Sequence, residues 1–142
     1  MRADVAVAYL RDQIEALTGV RPAPDRGGAM PILFDDVLVW LSVKGRDVSA
    51  VRIVGVVSED VLMTPQVQRW LNDANSRLSF ARAWCASRTL LVGTELWSDE
   101  LTPQSVSRAL DRVVNETRQT AADYAALTHA RPRREPELVS AR

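Results

Sequence analysis

Apolar residues at Ala3, Val7, Leu10, Ile14 and Leu17 recur at alternating spacings of four and three, one stripe on a first helix. Thr18-Gly19 stops that helix, and the Pro/Gly-rich stretch VRPAPDRGGAM (20–30) connects it onward. Three strand-like segments follow at Pro31–Phe34, Val37–Lys44 and Val48–Val57, with Lys44-Gly45-Arg46-Asp47 as a hairpin turn. Thr64-Pro65 supplies an N-cap and a proline at the first helical position. It opens a second helix with Val67, Trp70, Leu71, Ala74 and Leu78 on one face. Phe80–Ala86 and Thr89–Trp97 read as a second hairpin. Thr102-Pro103 repeats the capping chemistry and opens a third helix, with Val106, Leu110, Val113, Thr117, Ala121 and Tyr124 at helical spacing. The tail RPRREPELVSAR (131–142) has two prolines, mixed charge and no periodicity, and is expected to be disordered.

The order is α-β-β-β-α-β-β-α. Adjacent strands joined by short turns imply an α+β fold, an antiparallel sheet of about five strands with helices packed on one face. Residues 1–130 form the single domain. Strand alternation separates the two faces of that sheet. Val37, Val39, Leu41, Val43, Val51, Ile53, Val57, Ala81, Ala83, Cys85, Leu90, Val92 and Leu96 take the helix-covered face. The outer face then carries Leu38, Trp40, Arg52, Val54, Phe80, Arg82, Trp84, Leu91, Glu95 and Trp97. Tryptophan and arginine among aliphatic residues is the composition of a binding surface, and these residues are the candidate partner site. Two registers of the second hairpin keep them together. Either Arg82 lies opposite Glu95, or a two-residue shift sets Trp84 against Leu91 and Arg82 against Gly93.

Composition narrows the partners. With 142 residues, 46% of them hydrophobic and 25% charged, the chain reads as one globular domain able to bury a core without staples. Basic and acidic residues balance at 18 each, which argues against nucleic acid, whose phosphates call for an excess of Lys and Arg. Arginine is nearly all of the positive charge, a bias that points to a high-GC bacterial source. One cysteine excludes an internal disulfide, and no apolar run has the length of a membrane span. The N-terminus reads as an amphipathic helix rather than a signal peptide, so the expected compartment is the cytoplasm.

Chemistry-bearing motifs are sparse. His129, the single histidine, has no second ligand nearby for a metal, and Cys85 falls on the small-residue core face without a base. Asp35-Asp36 reads as a turn, and Gly27-Gly28 lacks the spacing and lysine of a phosphate loop. Glu59-Asp60 merely precedes a helix, and the basic run at Arg131 is blunted by Glu135 and Glu137. No catalytic residues, metal or cofactor are expected.

Asn72 and Asn75 lie in the second helix, although Asn is a poor helix interior residue. Asn75 flanks the buried stripe and is placed to bond backbone at the helix end, steering the turn through 76–79. Leu71-Asn72-x-x-Asn75-x-x-Leu78-x-Phe80-x-Arg82, then a hairpin and Leu101-Thr102-Pro103 opening a long helix, resembles the YbjN-like family. That family shares a fold superfamily with the class I type III secretion chaperones. The similarity spans about residues 30–128, with Ala81 where a glycine is usual and Trp84 in place of a plain strand residue. The resemblance implies a small homodimeric α+β domain that binds polypeptide segments of a client and has no catalytic residues. The function expected is a non-enzymatic, chaperone-like peptide-binding module. The alternative is a small-molecule-binding regulatory domain, with Ala81, Ala83 and Gly93 leaving room between sheet and helices.

Overall fold

The computed structural model describes residues 1–48, 50–128 and, as backbone, 140–141. Its elements run α1 (Ala3–Thr18), β1 (Met30–Phe34), β2 (Val37–Val43), β3 (Ala50–Ser58), α2 (Pro65–Arg77), β4 (Arg82–Ala86), β5 (Thr89–Trp97), α3 (Pro103–Thr128) and β6 (Ser140–Ala141). The expected order is met. The strands lie in the order β4-β5-β3-β2-β1-β6, antiparallel from β4 through β1. His129 and the expected disordered tail lie outside the described residues, except that Ser140–Ala141 pair in parallel with Leu33–Phe34. At those two residues pairing replaces the irregular backbone expected. Two rungs need only backbone groups, so they leave no trace in apolar periodicity.

Local chemistry sets the element ends. Gly19, at φ 76°, closes α1 by donating its N–H to the Glu15 carbonyl at 2.8 Å, a left-handed cap that suits glycine. Thr64 Oγ1 accepts the Val67 N–H at 3.2 Å, with Pro65 next in sequence. At α3 the caps are reciprocal: Ser105 N–H donates to Thr102 Oγ1 at 3.0 Å and Thr102 N–H to Ser105 Oγ at 2.8 Å. The β4–β5 turn has only Ser87 and Arg88 between Ala86 and Thr89, both at positive φ (50° and 63°) as a two-residue I′ hairpin requires. β3 starts at Ala50 rather than Val48, because the Val48 N–H is drawn to the Met1 carbonyl (2.7 Å) and Asp47 bridges to Arg2.

Two clusters fill the helix-covered side. In the first, Ala6, Leu10 and Ile14 of α1 and Val106, Ala109, Leu110 and Val113 of α3 pack on β1, β2, β3 and Leu96. In the second, Val67, Ala81, Ala83, Leu90, Val92 and Tyr124 gather with Trp70 and Leu71 of α2 and with Leu78, which follows that helix. Leu17, expected on the α1 stripe, is 46% exposed, and Ala6 is buried instead. The contacts of α1 with this core end at Ile14. The 26 residues of α3 cross from one cluster to the other, and Thr117 lies over Gly55 of β3 at the crossing.

Asn75 acts eight residues away, on Ala83, rather than on the turn after the helix. Its Nδ2 donates to the Ala83 carbonyl at 2.9 Å and its Oδ1 accepts the Ala83 N–H at 2.8 Å. These are the two backbone groups that alternation turns away from β5, so the amide stands in for a neighbouring strand and closes part of the β4 edge. Asn72 is exposed. Ala83 is nearly buried, so Asn75→Ala leaves a donor and an acceptor short of partners. We expect a loss of about 2 kcal/mol in urea unfolding, and none for Asn72→Ala.

Candidate functional site

The outer face is organised by register. Trp84 of β4 faces Leu91 of β5, which faces Val56 of β3, while Leu38 of β2 faces Leu33 of β1. Leu33, Leu38 and Val56 form a small buried cluster flanked by Trp40 and Leu91, and Trp84, opposite Leu91, extends this apolar row to the fifth antiparallel strand. The next row reads Arg82, Gly93, Val54, Trp40 and Pro31. A third holds Glu95 opposite Arg52 and Arg52 opposite Ser42. The shifted alternative of the two registers is therefore the one adopted.

A groove of about 550 Å³ opens on this face, lined by Arg52, Phe80, Arg82, Ala83, Trp84, Gly93, Thr94 and Glu95. It exists because β4 stops short of the length of β5. The last rung of that ladder is Arg82 opposite Gly93. Beyond it, the N–H groups of Phe80 and Ala81 are taken by the Glu116 carboxylate of α3, at 3.3 and 2.9 Å. That capture is why β4 begins at Arg82 and not, as expected, at Phe80. The Phe80 ring still borders the groove, with the Arg112 guanidinium 5.8 Å from its centroid. Gly93 supplies the floor. A Cβ there would sit 2.9 Å from the Trp84 ring and 3.0 Å from Val54, so glycine is what lets the indole lie across β5.

Charge is concentrated at one end. Glu95 Oε1 accepts from Lys44 Nζ at 2.9 Å and from the Arg52 guanidinium at 3.0 Å. These two bonds, Lys44 first, hold the Glu95 carboxyl below the usual carboxylate range, against a small opposing effect of burial. Whatever stability the cluster adds is fully present above the ordinary carboxylate pKa. It is lost as pH falls through the lowered one. Arg82 is exposed and has no ion pair among the described residues.

Of the expected site residues, Arg52, Phe80, Arg82, Trp84 and Glu95 meet around the groove. Trp40 and Leu91 adjoin it through the apolar cluster, and Trp97 is 57% exposed at the far end of β5. Leu38 and Val54 are 4% and 8% exposed, so they underlie the surface rather than present contacts. Lys44 and Gly93 belong to the site and were not among the expected residues; a lone glycine inside a strand pattern is the signal that marks such close approach. Gly93 also corrects the expected ligand space, since it fronts the outer face. Ala81 and Ala83 pack with Val67 and Tyr124 in the second core cluster. Among the described residues, no group of three or more His, Cys, Asp or Glu is placed to hold a metal ion, and no helix is long and apolar enough to cross a membrane.

The molecule is thus an open sheet with helices on one side and a grooved, tryptophan- and arginine-bearing surface on the other. Residues 4–135 match the family described as T3SS (YopN, CesT) and YbjN peptide-binding chaperone 1, and the chain belongs to that family. Among solved structures it is similar to one described as the ExsC–ExsE complex, at 15% identity and a TM-score of 0.66, covering 82% of this chain and 93% of that one. It is also similar to the Yersinia pestis type III secretion chaperone SycH in complex with a stable fragment of YscM2. There the identity is 13% and the TM-score 0.61, with 80% and 98% covered. These likenesses concern the fold. Among curated proteins no match is found.

Proposed function

We propose that this chain is a non-enzymatic, cytoplasmic chaperone-like module that binds an extended polypeptide segment of a client on its outer sheet face and works as a homodimer. The observation that carries the reading is the groove beside Trp84 and Arg82, where the end of β4 leaves one side of β5 without a neighbouring strand. Alternation turns the backbone groups of Glu95 and Trp97 toward that gap, and such an edge accepts an added strand. Family membership and the similar structures support a polypeptide as the occupant, since both of those structures are complexes of two proteins. The exposed Trp97 and the half-buried Trp40 and Trp84 support self-association, for which closed two-fold dimers are the commonest form.

The test combines association and capture. Sedimentation at micromolar concentration should give twice the 15.8 kDa chain mass. The chain should also retain members of a random peptide display library, and Trp84→Ala and Trp40→Ala should lose dimerisation or retention well before they lose thermal stability. A monomer that retains no peptide overturns the reading. Tryptophan variants that merely unfold, with unchanged binding per folded molecule, would make these rings core residues instead.

A further inference from the structure

We infer that the groove is selective for an acidic segment: an extended peptide in which an Asp or Glu, next to an aromatic or branched aliphatic residue, places its carboxylate on Arg82. The inference rests on the peptide-binding reading and adds the chemistry of what is bound. Among the described residues, three cations, Lys44, Arg52 and Arg82, line or border the groove end against one carboxylate, Glu95. Around Phe80, Arg112 and Glu116 offset each other. The local surplus is thus positive in a chain whose net charge is zero, so it belongs to this place and not to the composition.

Geometry selects the residue that reads the acid. Arg52 and Lys44 already share Glu95 Oε1, which neutralises that carboxylate and leaves it a weak repulsive partner. Arg82 is exposed, free of ion pairs among the described residues, and sits at the last rung of β4, where an added strand would continue the line of the sheet. A guanidinium presents a planar fork that matches a carboxylate, a stronger contact than a neutral hydrogen bond. Beside it the Trp84 indole over Gly93, together with Phe80, gives the neighbouring apolar residue a surface to cover. An acidic–apolar pair therefore uses both halves of the groove. A basic segment meets the charge surplus and is disfavoured.

The experiment pans a random twelve-residue phage-displayed library on the full chain, then measures one synthetic peptide from the enriched set by fluorescence anisotropy. The enriched peptides should carry Asp or Glu beside an aromatic or branched aliphatic residue. Changing the acidic residue of the peptide to Gln should weaken binding about tenfold, as should Arg82→Gln in the protein, while both together cost little more than either alone. Arg82→Lys should recover part of the loss, and affinity should fall as salt rises. Arg82 is a surface residue, so an unchanged thermal midpoint confirms that the variants are folded. Enriched peptides without acidic residues, binding wild type and Arg82→Gln alike, overturn the acid selectivity and leave peptide binding standing. A library that yields no binder at all overturns both.

Discussion

Gly55→Ala should destabilise the fold by about 3 kcal/mol, the upper part of the range for overpacking a core. A Cβ at Gly55 would overlap Thr117 Oγ1 and lie 2.9 Å from both Thr117 Cβ and Cγ2. None of these atoms is the far end of a flexible chain, so either α3 lifts or β3 bends. Thr117 is 1% exposed, and its hydroxyl oxygen has no hydrogen-bond partner among the described residues. Thr117→Ala should therefore cost little by itself, since losing an unpaired buried hydroxyl offsets the small cavity left. Combined with Gly55→Ala it should recover part of the loss, because Oγ1 and Cγ2 go while Cβ remains. Urea unfolding of the two single variants and the double variant measures the coupling directly. Additive losses would mean that Gly55 is needed for some reason other than the approach of α3.

Leu110→Ala should cost about 2–5 kcal/mol, the range for emptying a buried leucine site. Leu110 is 3% exposed in the first core cluster, among Val106, Ala109 and Val113 of its own helix and the β2–β3 surface. A domain of this size holds only about 5–15 kcal/mol in total, so this one truncation removes a large share. The contrast with Trp84→Ala is what gives the prediction its use. Trp84 is half-buried on the other side of the sheet, so its loss should fall mainly on association and peptide capture. Chemical unfolding of both variants, with the urea slope checked for constancy, tests whether the two faces do different work.

Periodicity and capping chemistry were enough to read the elements. Two Thr-Pro starts, a Thr-Gly stop and alternating valines write the order of helices and strands into neighbouring residues, and the helices lie on the face that alternation assigned to them. The same alternation put Arg52, Arg82, Trp84 and Glu95 on one surface, where they meet. Misreadings came where one element acts on a distant one. Phe80 keeps strand spacing, yet β4 begins at Arg82 because Glu116, thirty-six residues from Phe80, takes the Phe80 N–H that alternation would have turned toward β5. Leu17 keeps the helical stripe of α1 but lies past the last core contact, and Val48 gives up its strand position to bond Met1. Asn75 was legible as a backbone-bonding residue on the helix flank; that its partner is Ala83 depends on where α2 comes to rest against β4.

The amino-acid sequence by itself determined the fold class and the element order, because these follow from period and caps within a few turns of chain, and its paired-Asn motif carried the resemblance to the family that residues 4–135 match. Only the tertiary structure decided the register of the second hairpin, the burial of Leu38 and Val54, the place of Gly93 under Trp84 and the existence of the groove. Each of these is a matter of which atoms meet across strands and layers. A one-dimensional pattern can name the face on which a side chain lies, but the close approach of α3 to Gly55, and the carboxylate that ends β4 early, are set by packing between segments far apart in the chain.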